Sequence, residues 1–352
     1  MPDGTPSPRT LRTTDELIAA GLVPPDARAA MEAVEARYAV AITPAMRALI
    51  HQPDDPIGRQ FVPHLAEREA LAHETADPIG DARHAPVQGI VHRYPDRVLL
   101  KPLLVCPVYC RFCFRREHVG PDGGLLGDAE LEIAYDYIAR RPAIREVILS
   151  GGDPLLLSPR RLRGIIEALS AIPHLELLRI HSRVPLTDPA RVAPVVDALA
   201  TDKALWLVVH ANHASEFAAD GRSALQRLQK AGIPLLGQSV LLRGVNDSAG
   251  ALEDLFRAML RARVKPYYLH QLDPAPGTAR FHVPIAEGRT LMEALRGRVT
   301  GLAWPTYVLD IPDGFGKVPV GPDYLGPDDY ARDHVRDPWG GRHRLADPAA
   351  SV

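Results

Sequence analysis

Glu146-Val-Ile-Leu-Ser150-Gly151-Gly152-Asp153-Pro154 holds the pattern on which the fold turns: a short apolar run followed at once by a polar, glycine-bearing turn. A run of this length bounded by turn formers suits a parallel strand covered on both faces. Outward from it, similar runs begin near Val98, Leu175, Ala204, Ile233 and Lys265, with a helical pattern between each pair. From Glu146 onward they recur at about thirty residues, the size of a βα unit. Strand and helix in alternation predict an α/β fold with a parallel sheet. The units share no repeated motif, which excludes a solenoid. Six units rather than eight predict an open, partial barrel.

The polar residues of these units fall at one end. Cysteines follow the first strand, Ser150-Gly-Gly-Asp153 ends the second, and His181-Ser-Arg183 ends the third. His210-Ala-Asn212-His213 ends the fourth, Gln238-Ser239 lies within or near the end of the fifth, and Gln271-Leu-Asp273 ends the sixth. Barrel-type folds gather their active sites at the carboxyl ends of the strands. Each residue alone could be a cap or a satisfied core group. Their recurrence at the same end predicts a site.

All three cysteines lie in Cys106-Pro-Val-Tyr-Cys110-Arg-Phe-Cys113, spaced C-x3-C-x2-C. Three thiolates are one short of the set that closes an iron–sulfur cluster or a structural zinc site. A cluster so held keeps one iron open. A zinc site completed by one of the 14 histidines, or plain burial, stays open as an alternative. The odd number and tight spacing argue against disulfides.

The remaining sequence sets bounds. Hydrophobic residues make up 46% of the 352, ample for a core, and the net charge of −2 argues against a nucleic-acid surface. No apolar run approaches a membrane span, and the N-terminus lacks the apolar core of a signal peptide. Reduced thiols make the cytoplasm the natural compartment. Residues 1–11 read as a disordered lead, and helical patterns follow from Thr13 to about Glu69, starting at Asp15, Pro25 and Pro44. The expected organisation is an N-terminal helical extension and linker (1–90), a barrel (91–325) and a polar tail (326–352).

Two further segments carry charge in suggestive settings. Val91-His-Arg93-Tyr94-Pro-Asp-Arg97-Val98 offers guanidiniums suited to phosphate, though a surface basic patch reads equally well in isolation. Asp310-Ile-Pro-Asp-Gly-Phe-Gly-Lys317 places a lysine in a Gly/Pro-rich loop after an apolar strand, where a lone lysine is more often simply solvated.

The cysteine spacing resembles the signature of the radical S-adenosylmethionine (SAM) superfamily, and SGGD resembles its SAM-holding element. HRYPDR, CxxxCRxCFRR, SGGDPL, RIHSR, GQSVLLRGVND, YYLHQLD and the D-x6-K loop, in that order from about Asp77 to Leu325, resemble the lysine 2,3-aminomutase family. The resemblance implies a partial (β/α)6 TIM-like barrel, a [4Fe–4S] cluster on Cys106, Cys110 and Cys113, SAM, and pyridoxal 5′-phosphate (PLP) carried by Lys317. It implies SAM contacts from Ser150, Gly151, Gly152, Asp153, His181, Arg183 and Gln238, and PLP-phosphate contacts from Arg93, Tyr94 and Arg97. Arg115 would take the substrate carboxylate, and Asp273 and Asp310 the side-chain ammonium of L-lysine. The implied reaction is conversion of L-lysine to β-lysine through an adenosyl radical, driven by a flavodoxin- or ferredoxin-type reductant. No cysteine follows Cys113, so the C-terminal structural zinc of the longer enzymes is not expected; a homo-oligomer stays open, with the organisation of those enzymes no guide to it. Chain length and His270, where the longer enzymes usually have tyrosine, resemble a shorter branch that makes (R)-β-lysine for elongation factor P. The Asp310–Lys317 loop looks more like the longer branch. An aminomutase for arginine or glutamate, and an iron–sulfur electron carrier with no enzymatic role, are the competing readings.

Overall fold

The computed structural model describes residues 9–324 and 334–344. The expectations for most of the lead and for the tail at 325–333 and 345–352 lie outside the described residues. The chain builds a nine-stranded sheet whose spatial order follows the sequence. β1 (Ile90–Tyr94) runs antiparallel to β2 (Arg97–Leu103). From β2 the strands are parallel through β3 (Glu146–Gly151), β4 (Leu177–Ser182), β5 (Ala204–His210), β6 (Leu235–Val240), β7 (Lys265–His270) and β8 (Thr306–Ile311). β9 (Gly316–Pro319) turns back antiparallel on β8. The six expected runs are all strands of a partial barrel. The apolar run before the lysine loop adds a seventh parallel strand, and β1 and β9 add an antiparallel edge on each side.

Period-2 geometry sorts the side chains. Val147, Leu149, Leu178 and Ile180 point outward into the main apolar core. Glu146, Ile148, Ser150, Arg179 and His181 point inward and line a cavity. Crossover helices Asp128–Ala139, Pro159–Ser170, Ala219–Lys230, Ala249–Arg261 and Ile285–Leu295 cover the outside. The β4–β5 crossover is instead broken into short turns around Val184–Thr187 and Val192–Val195. Pro185, Pro189 and Pro194 explain this, since each lacks the N–H that would continue a helix.

Among the described residues β1 pairs only with β2 and β9 only with β8, so backbone ladders do not close the barrel. Contacts close it instead. Lys317 N–H donates to the Tyr94 hydroxyl across the gap at 2.8 Å. Gly80, at φ +67, sits where a Cβ would lie 2.7 Å from the carbonyl carbon of Asp313. The linker before β1 is thereby seated against the lysine loop.

The N-terminal segment forms the expected helix starts at Thr14–Ala19, Arg28–Glu35 and Pro44–Arg47, but beyond Arg47 its elements are only short turns. It has its own apolar cluster, which takes in Val108 from between the first two cysteines. Arg111 N–H donates to the Gln60 carbonyl at 2.8 Å and Tyr109 N–H to that of Ala41 at 3.3 Å. The strongest tie is Glu67, whose side chain is 0% exposed. It accepts from Arg111 Nε and Nη2 at 3.0 and 2.5 Å, pairs with Arg116, and has Arg280 at 3.8 Å.

Removing one partner of a buried charge network strands the others. Glu67→Gln is expected to cost about 3–5 kcal/mol, read as a lowered denaturation midpoint, and to reduce iron incorporated per chain on reconstitution. Unchanged stability would show that the three arginines find water instead.

Candidate active site

Inside the barrel lies a cavity of about 1000 Å³, lined by every residue to which the resemblance gave a cofactor, metal or substrate role; Asn212, His213, Ser239 and Gln271 do not line it. The cysteines stand at one wall, Lys317 and Asp310 at another, with the inward residues of β3, β4 and β6 between them.

At the cysteine wall, Arg183 is already committed. Its Nη1 donates to Cys110 Sγ at 2.8 Å, and its Nη2 to Glu216 Oε2 at 2.7 Å and Gln60 Oε1 at 3.1 Å. Asn212 donates to the same Gln60 oxygen at 3.0 Å. Burial, with Asp153 and the neighbouring thiols adding to it, pushes the Cys106 thiol well up; burial and Cys110 push Cys113 up to about 11. Thiols so placed become thiolates only against strong positive charge, which the irons of a cluster supply. Among the described residues no three Cys, His, Asp or Glu side chains converge on a single-ion site. A cluster spreads its ligands over separate irons and does not require that convergence. His181 Nε2 is buried without a hydrogen-bond partner. Burial first, then the nearby Arg179, hold this imidazole well below its ordinary pKa, so it is neutral and free to meet a ligand.

The SGGD turn has close partners within the protein. The glycines make room for protein backbone. A Cβ on Gly152 would lie 2.3 Å from the Val105 carbonyl oxygen and 2.5 Å from its nitrogen, and Gly151 has φ +98. The Gly152 and Asp153 N–H groups donate to Leu103 and Val105 at 2.8 and 2.9 Å, fastening the root of the cysteine loop. The Asp153 carboxylate accepts from Leu155 N–H, Ser182 Oγ, Arg183 N–H and Val184 N–H at 2.7–3.1 Å. Four donors fill a carboxylate, so Asp153 clasps the ends of β3 and β4 together. Arg183 braces Cys110.

At the other wall, antiparallel register sets Asp310 opposite Lys317. Their side chains form an ion pair, and His270 Nδ1 lies 3.2 Å from Lys317 Nζ. Arg93 Nη1 is 3.7 Å from Asp310, while its Nη2 donates to the Ile79 carbonyl. Arg97 lies 3.8 Å from the Tyr94 ring centroid and pairs with Asp96 at 2.7 Å. Burial would raise Asp310, but His270 and Lys317 hold it well below the carboxylate range. Asp273 is the opposite case: burial, then the charge of Asp310, push it up to about 7. Two carboxylates in one cavity are thus split into a firmly ionised member and one pushed up to about 7.

Sequence reasoning missed Asp81, Gln60, Glu67 and Glu216. All lie far in sequence from the arginines they meet, and no local pattern marks them.

Two family models match this chain: the Radical SAM superfamily over residues 100–256, and Lysine-2,3-aminomutase over residues 292–336. The L-lysine 2,3-aminomutase of Clostridium subterminale is 42% identical over 289 residues, covering 81% of this chain and 70% of that protein. The chain belongs to the lysine 2,3-aminomutase family. A Bacillus subtilis L-lysine 2,3-aminomutase is 35% identical over 90% of this chain and 68% of its own. A glutamate 2,3-aminomutase of Clostridioides difficile is also 35% identical, over 83% and 70%. Membership of the lysine 2,3-aminomutase family makes this chain a radical SAM aminomutase, an isomerase, and implies a [4Fe–4S] cluster, SAM and PLP. Among the described residues no helix is long and apolar enough to cross a membrane.

Within this lysine 2,3-aminomutase family member, Gly152→Ala should drive the Val105 backbone away from β3. The expected cost is ~1–3 kcal/mol of overpacking, with iron content on reconstitution falling while PLP absorbance is retained. Full iron content would show that the cysteine loop tolerates the displacement.

Proposed function

We propose that this enzyme is a lysine 2,3-aminomutase acting on free L-lysine, moving its α-amino group to the β-carbon. The observation that carries the proposal is the pair Asp273 and Asp310, buried at one end of the cavity, with Arg115 lining the same space. An ammonium entering a closed site is costly unless it meets negative charge. Asp310, joined by Asp273 once it ionises, supplies that charge and repels the side-chain carboxylate of glutamate.

When bound, the cluster and SAM supply the radical that removes hydrogen from the β-carbon, and PLP holds the migrating nitrogen. The chain's own residues do the rest. Cys106, Cys110 and Cys113 hold the cluster, with Arg183 bracing Cys110. Ser150, the Gly151–Gly152 backbone, His181 and Gln238 would hold SAM, and Lys317 would carry PLP, whose phosphate Arg93, Tyr94 and Arg97 would bind. Arg115 grips the α-carboxylate through a forked pair of N–H groups. The buried walls exclude water and stray hydrogen donors while substrate is held in one orientation. The proposal includes a cytoplasmic setting and a low-potential reductant of flavodoxin or ferredoxin type. Supply of β-lysine to elongation factor P is the part of the proposal that rests on His270 alone.

The deciding experiment is anaerobic turnover with SAM, PLP and reductant on a panel of lysine, arginine and glutamate. β-Lysine is the expected product; turnover of glutamate or arginine with lysine inert overturns the proposal. Lys317→Ala should lose the visible PLP absorbance, and Cys110→Ala should bind PLP yet make no β-lysine. An ammonium binds best to ionised Asp273, so the lysine KM should fall as pH rises through about 7. Asp273→Asn should raise KM roughly 10–100-fold and flatten that profile.

A further inference from the structure

We propose that Asp81 is a positioning residue that aims Arg115 at the substrate's carboxylate; this rests on the reading of Arg115 given above. Asp81 comes from the linker ahead of the barrel, yet its side chain is only 11% exposed and lines the active-site cavity. Three cations from three different elements surround it. Arg115, two residues past the last cysteine, donates its Nε–H to Asp81 Oδ2 at 2.8 Å. Arg93 of β1 lies at 3.5 Å and Lys101 of β2 at 3.7 Å.

The bland alternative is that Asp81 caps its own turn. It precedes the 3-10 turn Ala82–His84, but makes no side-chain cap there. That task falls to Asp77, which accepts the Asp81 and Ala82 N–H groups at 2.7 and 2.8 Å. Asp77 and the close seating of Gly80 on the lysine loop fix the Asp81 backbone, leaving its carboxylate to face the cations.

A guanidinium carries five N–H donors in one plane. With Nε–H given to Asp81, rotation about the side chain is arrested. Among the described residues Arg115 makes no other side-chain hydrogen bond. The terminal Nη1/Nη2 edge is therefore left for a forked pair with a carboxylate. Asp81 also offsets the mutual repulsion of Arg93, Lys101 and Arg115. One negative charge among three positive ones leaves a net attraction for anions.

The test compares L-lysine with L-lysinamide, which lacks the carboxylate, by spectral titration of the PLP-loaded protein and by steady-state kinetics. Wild-type protein should bind lysine more tightly than lysinamide. Asp81→Asn, which keeps shape but removes charge, should shrink that preference roughly tenfold, with KM moving more than kcat. Lysinamide affinity should barely change. Arg115→Gln should abolish the preference. If Arg115→Gln leaves the preference intact, the reading of Arg115 itself fails. If Arg115→Gln abolishes it while Asp81→Asn leaves it whole, only the positioning role fails. Equal weakening of both ligands by Asp81→Asn would make Asp81 merely structural and also overturn the proposal.

Discussion

A carboxylate with no access to water, Glu67, is the interaction on which the rest depends. Left alone, such a charge would be intolerable in a protein interior. Arg111, Arg116 and Arg280 answer it, and the first two belong to the cysteine loop and the residues just after it. The attraction therefore binds the N-terminal segment to the place where three thiolates must be held. Gln60 from the same segment meets Arg183, Asn212 and Glu216 from the ends of β4 and β5. The cysteine loop is thus fixed by charge from outside the barrel and by glycine-mediated backbone contact from β3 within it.

The opposite wall poses the reverse problem, with ionisable groups that must stay available. Asp310 and Lys317 neutralise each other on neighbouring antiparallel strands, and His270 accompanies them. Asp273 is pushed up by burial and by the charge of Asp310, against the pull of Lys317, Arg115 and Arg93. Asp81 stands on the third side with Arg93, Lys101 and Arg115. Positive and negative side chains thus share the cavity, with Lys317 and Arg93 beside Asp310 and three cations around Asp81.

Much of this was legible in the chain, for reasons that differ by residue. Val147, Leu149, Leu178 and Ile180 announce covered strands because burial on both faces demands apolar runs. The cysteines, His181, Gln238 and Asp273 were found because polar residues recur at the same end of successive units. The SGGD turn was located from its residue types, but its protein partners were not legible there. Gly152 is small because Val105 approaches it, and Asp153 is acidic because four donors surround it. Pattern shows that a residue type is required at a position, but not which neighbour requires it.

By itself the sequence determined the alternation of strand and helix, the end of the sheet that carries chemistry, and an incomplete set of metal ligands. Those follow from local periodicity and from spacing along a single segment. Only the tertiary structure decided that the barrel closes through Tyr94 and Lys317 rather than through strand pairing. Only it brought Glu67, Gln60 and Asp81 from the N-terminal segment to arginines far along the chain. A charge in an irregular linker looks like any solvated charge. What makes it necessary is the desolvation it suffers, and that exists only once the chain has folded over it.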